Sequence, residues 1–338
     1  MHRQQIIDEE IQKIREECDN YKHTVWALHA FGSFICWDEE KKEKIPEASF
    51  TFGRRLYIKD NLPVTPDLII EKNPKYGIVV EAKKFLPANR DYWNREVAQL
   101  LKYDEIQGGW LSVDKVEVYD IAFLIDIGMA VKVVDFFKEN NYFEKFIHSI
   151  GIVGFEHTEE TRGIYITLKK EGGKFSDLQI DELLRTVKKV PLDKIWKDSQ
   201  KIMFYDARPP RLHVVRILWE HVLSSMISEE TWSTEKHHHI LEVSINEVKE
   251  KMQEYYGQKP QRENDREIPP QKWIRDALDF LVEVRLAEKI DEERYRIHWK
   301  KLKHKDTLRT FAILELKLKK SKKRLCKEED QLEFPNFL

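Results

Sequence analysis

The chain contains 338 residues, of which 41% are apolar and 35% are charged, and its formal net charge is −2. This apolar fraction is enough to fill hydrophobic cores, which excludes a disordered chain, and the length favours two domains. Three scattered cysteines, Cys18, Cys36 and Cys326, match neither a zinc site nor a disulfide framework. The N-terminus has no signal-like apolar core and no apolar run could span a membrane, so we expect a cytoplasmic protein without a membrane partner.

Residues 1–170 predict an α/β domain. Apolar periodicity predicts a helix first, followed by three strands, a helix, a strand, a helix and two strands. The predicted ranges are 6–22, 49–58, 66–71, 76–85, 92–106, 119–127, 130–147, 150–156 and 162–170. This order is typical of a mixed sheet flanked by helices.

The second half of the chain predicts a different, mostly α domain. Residues 171–207 are predicted to be a connecting helix and linker. Residues 208–300 follow in the order helix, short strand, helix, helix and hairpin, and Ser244 with Glu247 forms a capping box before the second helix. This order resembles a winged-helix domain.

The tail, residues 301–338, is basic. The segment 300–327 carries a net charge of +10, so the rest of the chain sums to −12. A basic tail on an acidic body predicts a polyanionic partner. The alternative is a solvated amphipathic helix, because Phe311, Leu314 and Leu318 recur at helical spacing.

Charged residues end two otherwise apolar strands at residues 64–85. Side chains alternate along a strand, so Glu81 and Lys83 point to the same side. If the two strands pair as an antiparallel hairpin, Asp67 meets Glu81. Asp67, Glu81 and the carbonyl of Ala82 are suitable ligands for Mg²⁺, with Mn²⁺ as a substitute. Lys83 would then orient a water molecule or offset charge on phosphoryl oxygens.

This pattern, Pro66-Asp67 followed by Glu81-Ala82-Lys83, resembles the PD-(D/E)xK nuclease superfamily. Gln99 and Tyr103 lie one turn apart on the next helix, like the Q-x-x-x-Y element of type I restriction subunits and RecB-like enzymes. The resemblance implies a restriction-endonuclease-like fold in which the Gln and Tyr help to place the DNA backbone or the lysine. An ordinary ion pair on an edge strand remains the alternative.

The resemblance also implies a further acid from the first helix. Glu17 is the first candidate and Glu10 the second, although either residue is also compatible with a solvated surface. Arg54 and Arg55 precede the site and are predicted to contact phosphate, with exposed edge-strand charges as the alternative.

In the winged-helix-like region, DNA contacts are predicted at the third helix and after the wing. The predicted residues are Lys272, Arg275, Lys300, Lys301 and Lys303. The third helix also carries acids at 276, 279 and 283, which leaves docking of a protein partner open.

The sequence as a whole predicts a Mg²⁺-dependent DNA endonuclease acting in restriction, defence or DNA mobility. Its layout resembles the nuclease subunit of a transposition system and host-defence nucleases. Double-stranded DNA is the expected partner, together with a second copy of the chain or a partner protein. No Gly-rich phosphate loop is present, so no nucleotide motor is expected. The alternatives are a non-cleaving DNA- or protein-binding module and a winged-helix transcriptional regulator.

Overall fold

The computed structural model describes residues 2–38, 41–112, 115–161, 163–192, 203–227, 238–260, 264–300 and 306–332. They form two compact units. The sheet unit comprises Asn20–Ala207 and Gln253–Pro269, and the helical unit comprises residues 2–19, 208–252 and 270–332. Residues 253–269, which the sequence placed in the winged-helix-like region, thus belong to the sheet unit. Among the described residues, no helix combines the length and apolarity needed to cross a bilayer.

The sheet unit has a seven-stranded mixed sheet. Its strands lie side by side in the order in which they occur along the chain. The strands are β1 (Ser49–Phe52), β2 (Leu68–Asn73), β3 (Tyr76–Lys83), β4 (Val118–Asp126), β5 (Ile150–Glu160), β6 (Gly163–Gly173) and β7 (Lys188–Pro191). Strands β3, β4 and β5 are parallel to one another, and the other neighbouring pairs are antiparallel. The mixed α/β class that the sequence predicted is therefore confirmed.

Helices cover this sheet because its strands carry apolar residues on both faces. They are α1 (His2–Ile35), whose residues from Asn20 onward belong to this unit, α2 (Arg90–Tyr103), α3 (Ile127–Glu139) and α4 (Leu178–Leu183). Residues of α2, Val97 and Leu100, join the same buried cluster as Ile69 of β2 and Val79 of β3. The apolar side of α2 therefore packs into the same core as β2 and β3.

Several elements of this unit differ from the sequence prediction, and the helix predicted over 130–147 spans Ile127–Glu139. Helix α1 continues to Ile35, because the aromatic stretch after Tyr21 is buried as helix core. The strand predicted over 49–58 ends at Phe52, because Gly53 adopts a φ of +57°. In the predicted linker, Leu178–Leu183 form a short helix, and Lys188–Pro191 add β7 to the edge of the sheet.

The helical unit combines helices with a small sheet. Its helical segments, after residues 2–19 of α1, are α5 (Arg211–Ile217), a π-helical segment (Leu218–Leu223), α6 (Ser224–Met226), α7 (Ile245–Tyr256, whose residues up to Met252 belong to this unit), α8 (Gln271–Glu283) and α9 (Thr307–Leu332). Its strands are β8 (His238–Ser244), β9 (Ala287–Lys289) and β10 (Arg294–Lys300), in the antiparallel order β8-β10-β9. The predicted element order is observed, and the capping box forms: Ser244 N–H donates to Glu247 Oε2 at 2.7 Å.

A buried histidine in α1 predicts a pH dependence of stability. His29 is 2% exposed and packs against Phe50 and Phe52, and burial lowers its pKa to about 4. Because this pKa lies below the unfolded value of about 6.5, the unfolded state binds more protons between these values, and stability is lost as the pH falls through that window.

We therefore expect His29→Leu to lose less stability on acidification than the wild type. When the pH falls from 7 to 5, the free energy of unfolding of the wild type should decrease by about 2 kcal/mol more than that of the variant. Urea unfolding at both pH values measures it, with the partly exposed His221→Leu as control. Parallel pH curves for wild type and His29→Leu would contradict the assignment.

Candidate active site

The hairpin of β2 and β3 brings the two predicted acids together. Leu68 pairs with Val80, so Asp67 lies one position further along, opposite Glu81. The Ala82 N–H donates to Asp67 Oδ2 at 2.9 Å, which fixes this carboxylate against the end of β3. Asp67 is 8% exposed and Glu81 only 2%. The antiparallel pairing predicted from the sequence is therefore observed, and it buries both carboxylates.

Lys83 lies beside these acids because it shares a side of β3 with Glu81. Its Nζ donates to Glu81 Oε1 at 2.8 Å and lies 3.4 Å from Glu96 Oε2. The Lys83 side chain is 26% exposed, against 3% for that of Glu81. The ammonium therefore lies between the buried carboxylates and the solvent.

Helix α2 holds the other side of the Glu81 carboxylate. Tyr103 Oη donates to Glu81 Oε2 at 2.8 Å, and Gln99 Nε2 donates to Tyr103 Oη at 2.7 Å. Gln99 and Tyr103 are one helical turn apart, so one face of α2 supplies both. The two predicted supporting residues are thus part of one hydrogen-bonded chain that ends on Glu81.

The electrostatics of the site are dominated by burial of like charges. Burial raises the pKa of Asp67 well above its usual range, and the charge of Glu81 raises it further, against the opposing charge of Lys83. Burial also raises the pKa of Glu81, although Lys83 and Tyr103 oppose this. Burial alone would lower the pKa of Lys83, but the charges of Glu81 and Asp67 raise it overall.

The donor set fits a hard divalent cation. Asp67 and Glu81 supply carboxylate oxygens, and Mg²⁺ is typically bound by one or two carboxylates with water in its remaining positions. A cation between these carboxylates would also relieve their mutual repulsion, which one ammonium offsets only in part. Within the described ranges, no group of three or more His, Cys, Asp or Glu side chains is arranged to hold a metal ion. The candidate cation site is therefore an open one, in which Asp67 and Glu81 are the two carboxylate ligands.

A segment that the sequence placed in the linker also borders the site. Tyr205 N–H donates to Tyr21 Oη at 3.2 Å, and Tyr21 Oη lies 3.2 Å from the Ala207 carbonyl, to which it donates. Burial raises the pKa of Tyr205 well above its usual range, and the negative charge of Asp67 adds to this. Asp206 follows, and its charge in turn raises the pKa of Asp67.

Asp206 occupies a fixed position. Arg266 pairs with it at 2.6 Å, and a side chain at Gly53 would bring its Cβ within 2.9 Å of Asp206 Cβ. Sequence reasoning missed Tyr205 and Asp206. They stand in no periodic pattern, and the only local signal is that aromatic and acidic residues precede two prolines at 209 and 210.

The remaining predicted acids and arginines have separate environments. Glu10 pairs with Lys13 at 2.9 Å, and Glu17 is exposed; both lie in the part of α1 that belongs to the helical unit. Arg54 is 4% exposed, and its guanidinium donates to the carbonyls of Gly109 and Trp110 and pairs with Asp265.

Arg54 is therefore a structural residue of the sheet unit, because a phosphate contact would require breaking these bonds. Arg55 is exposed, and its charge opposes the raised pKa that burial gives Asp206. Of the two predicted arginines, Arg55 is the one whose side chain faces solvent.

The predicted DNA contacts of the helical unit are only partly described. Lys272 is exposed on α8. Arg275 donates to the Glu292 carbonyl at 3.1 Å and to Glu293 at 3.0 Å. Lys300 ends β10, where the structure describes only its backbone. The other two predicted residues, Lys301 and Lys303, lie outside the described residues.

Comparisons of the chain with protein families, with curated proteins and with solved structures found no match.

The site predicts stabilisation by divalent cations. Because Mg²⁺ at ten times its Kd adds about 1.4 kcal/mol to the free energy of unfolding, the Tm of the wild type should rise by a few degrees. Asp67→Asn should have a higher Tm than the wild type without cation, because it removes one of two repelling buried carboxylates, and Mg²⁺ should no longer raise it. The exposed Asp60→Asn serves as control. An equal rise in all three proteins would locate the cation elsewhere.

Proposed function

We propose that the sheet unit is a Mg²⁺-dependent DNA endonuclease that hydrolyses phosphodiester bonds. The observation that carries the proposal is the buried Glu81 carboxylate, which Tyr103 and Lys83 hold opposite Asp67. Hydrolysis of a phosphodiester needs oxygen ligands for a hard cation and positive charge beside the phosphoryl oxygens. The end of the hairpin offers both.

Each residue has a distinct role in this proposal. Asp67 and Glu81, with the carbonyl of Ala82, would hold the cation. When bound, Mg²⁺ polarises a phosphoryl oxygen and lowers the pKa of a bound water. Lys83 would orient the attacking water or offset the charge that develops on phosphorus-bound oxygens. The water oxygen forms a bond to phosphorus and gives up a proton to solvent, while the bond to the leaving oxygen breaks and that oxygen takes up a proton from solvent.

Helix α2 contributes rigidity. The bond from Gln99 to Tyr103 and the bond from Tyr103 to Glu81 fix one carboxylate oxygen, while Lys83 fixes the other. Residues whose rotamers are locked by such bonds hold catalytic geometry more precisely than free side chains do. The resemblance to the PD-(D/E)xK superfamily supports the proposal, because the motif stands on an antiparallel hairpin followed by a helix and a parallel strand.

The proposed substrate is double-stranded DNA, and the helical unit is proposed to be a winged-helix domain that positions it. Its element order and its β8-β10-β9 sheet support this part of the proposal. Exposed Lys272 on α8 is suited to a phosphate contact. Cleavage of both strands usually uses two active sites, so a second copy of the chain or a partner protein belongs to the proposal.

One observation favours a second function for the helical unit, which is docking of a partner protein. Arg275 is already engaged by Glu292 and Glu293, and Arg208 pairs with Asp276 at 3.0 Å. Basic groups paired in this way present less net positive charge to DNA than the sequence alone suggests.

The nuclease proposal predicts cation-dependent nicking of supercoiled DNA. Purified wild type should convert supercoiled to open-circular DNA with Mg²⁺ or Mn²⁺ and not with EDTA. Lys83→Ala should lose about 10²- to 10³-fold in rate, because it removes the charge that stabilises the transition state. Asp67→Ala should show no cutting above background, and the exposed Lys102→Ala should cut like the wild type.

Equal cutting by all four proteins would indicate a contaminant. Salt-sensitive DNA binding without cutting would favour the non-cleaving module instead.

A further inference from the structure

A third carboxylate stands in the site on helix α2. Glu96 lies three residues before Gln99 and seven before Tyr103, so all three share one helix face. Glu96 is only 9% exposed, whereas glutamates are seldom this buried without a partner. An acidic residue at position 96 is needed neither for the β2–β3 hairpin nor for the hydrogen bond between Gln99 and Tyr103.

The buried oxygen of Glu96 has one evident charged neighbour. Oε2 lies 3.4 Å from Lys83 Nζ, and no donor within the described ranges makes a hydrogen bond to this oxygen, while the phenol of Tyr92 also interacts with the Glu96 carboxylate. An unpaired buried carboxylate oxygen costs free energy, so its position needs a compensating charge. The ammonium of Lys83 supplies that charge.

Lys83 is thereby held from two directions. One of its three N–H donors goes to Glu81 on β3, and a second carboxylate approaches from α2. A lysine has four rotatable bonds and is poorly positioned by a single contact. Two carboxylates on different elements restrain the ammonium, and its exposed side still faces solvent.

We propose that Glu96 is a positioning residue that, together with Glu81, holds the Lys83 ammonium at the site. This inference rests on the proposed function. The sequence predicted a further acid of the site on the first helix, at Glu17 or Glu10. The inference places this acid on α2 instead. Glu96 acts through Lys83 and not on the substrate itself.

The test combines a kinetic and a non-kinetic measurement on Glu96→Gln, which keeps the size of the side chain. NMR relaxation of the lysine side chains, with the Lys83 signal assigned from Lys83→Arg, reports the order parameter of the Lys83 Cε group in cation-free protein. In the variant this order parameter should fall towards that of exposed Lys102. With DNA and Mg²⁺, kcat should fall roughly 10- to 100-fold while KM stays within about twofold.

Two controls accompany this variant. Glu105→Gln removes an exposed carboxylate just after α2 and should change neither the order parameter nor kcat. Glu96→Asp retains the charge and should recover part of both. An unchanged Lys83 order parameter in Glu96→Gln overturns the proposal, and so does a fallen order parameter with unchanged kcat. If the wild type does not cut DNA at all, the nuclease proposal fails, and the NMR measurement alone still decides whether Glu96 holds Lys83.

Discussion

The site depends on the burial of one carboxylate, that of Glu81. Removing a carboxylate from water costs several kcal/mol unless good partners replace the solvent. Here the phenol of Tyr103 and the ammonium of Lys83 take one oxygen each. Because Tyr103 belongs to α2 and Lys83 to β3, the carboxylate couples helix to sheet at one point. The positions of Gln99 and Glu96 follow from this coupling.

The neighbouring strands of the sheet unit determine where the Glu81 carboxylate is buried. The antiparallel register of β2 and β3 puts Asp67 opposite Glu81, and the parallel strand β4 beside β3 contributes residues to the buried cluster that α2 joins. Two buried like charges oppose folding, and a fold optimised for stability alone would replace one of them. Their position beside a lysine is compatible with the proposed chemistry, since perturbed titratable groups cluster at functional sites.

The sequence could predict the centre of the site because its signals are local. Strand alternation pairs Glu81 with Lys83, the hairpin brings in Asp67, and helical periodicity brings Gln99 and Tyr103 to one face. It could not identify Arg54 as structural, because the partner that buries its charge, Asp265, lies 211 residues further along the chain. Likewise, no periodic pattern marks Tyr205 or Asp206, whose positions depend on long-range packing.

The central claim is that Asp67 and Glu81 jointly bind a divalent cation. The most direct measurement is a crystal structure of the wild type grown with Mn²⁺, with anomalous difference maps recorded for the metal. The account predicts one peak about 2.0–2.3 Å from a carboxylate oxygen of each of the two residues, with Lys83 alongside. A map with no peak there, or with its peaks only at other carboxylates, would contradict it.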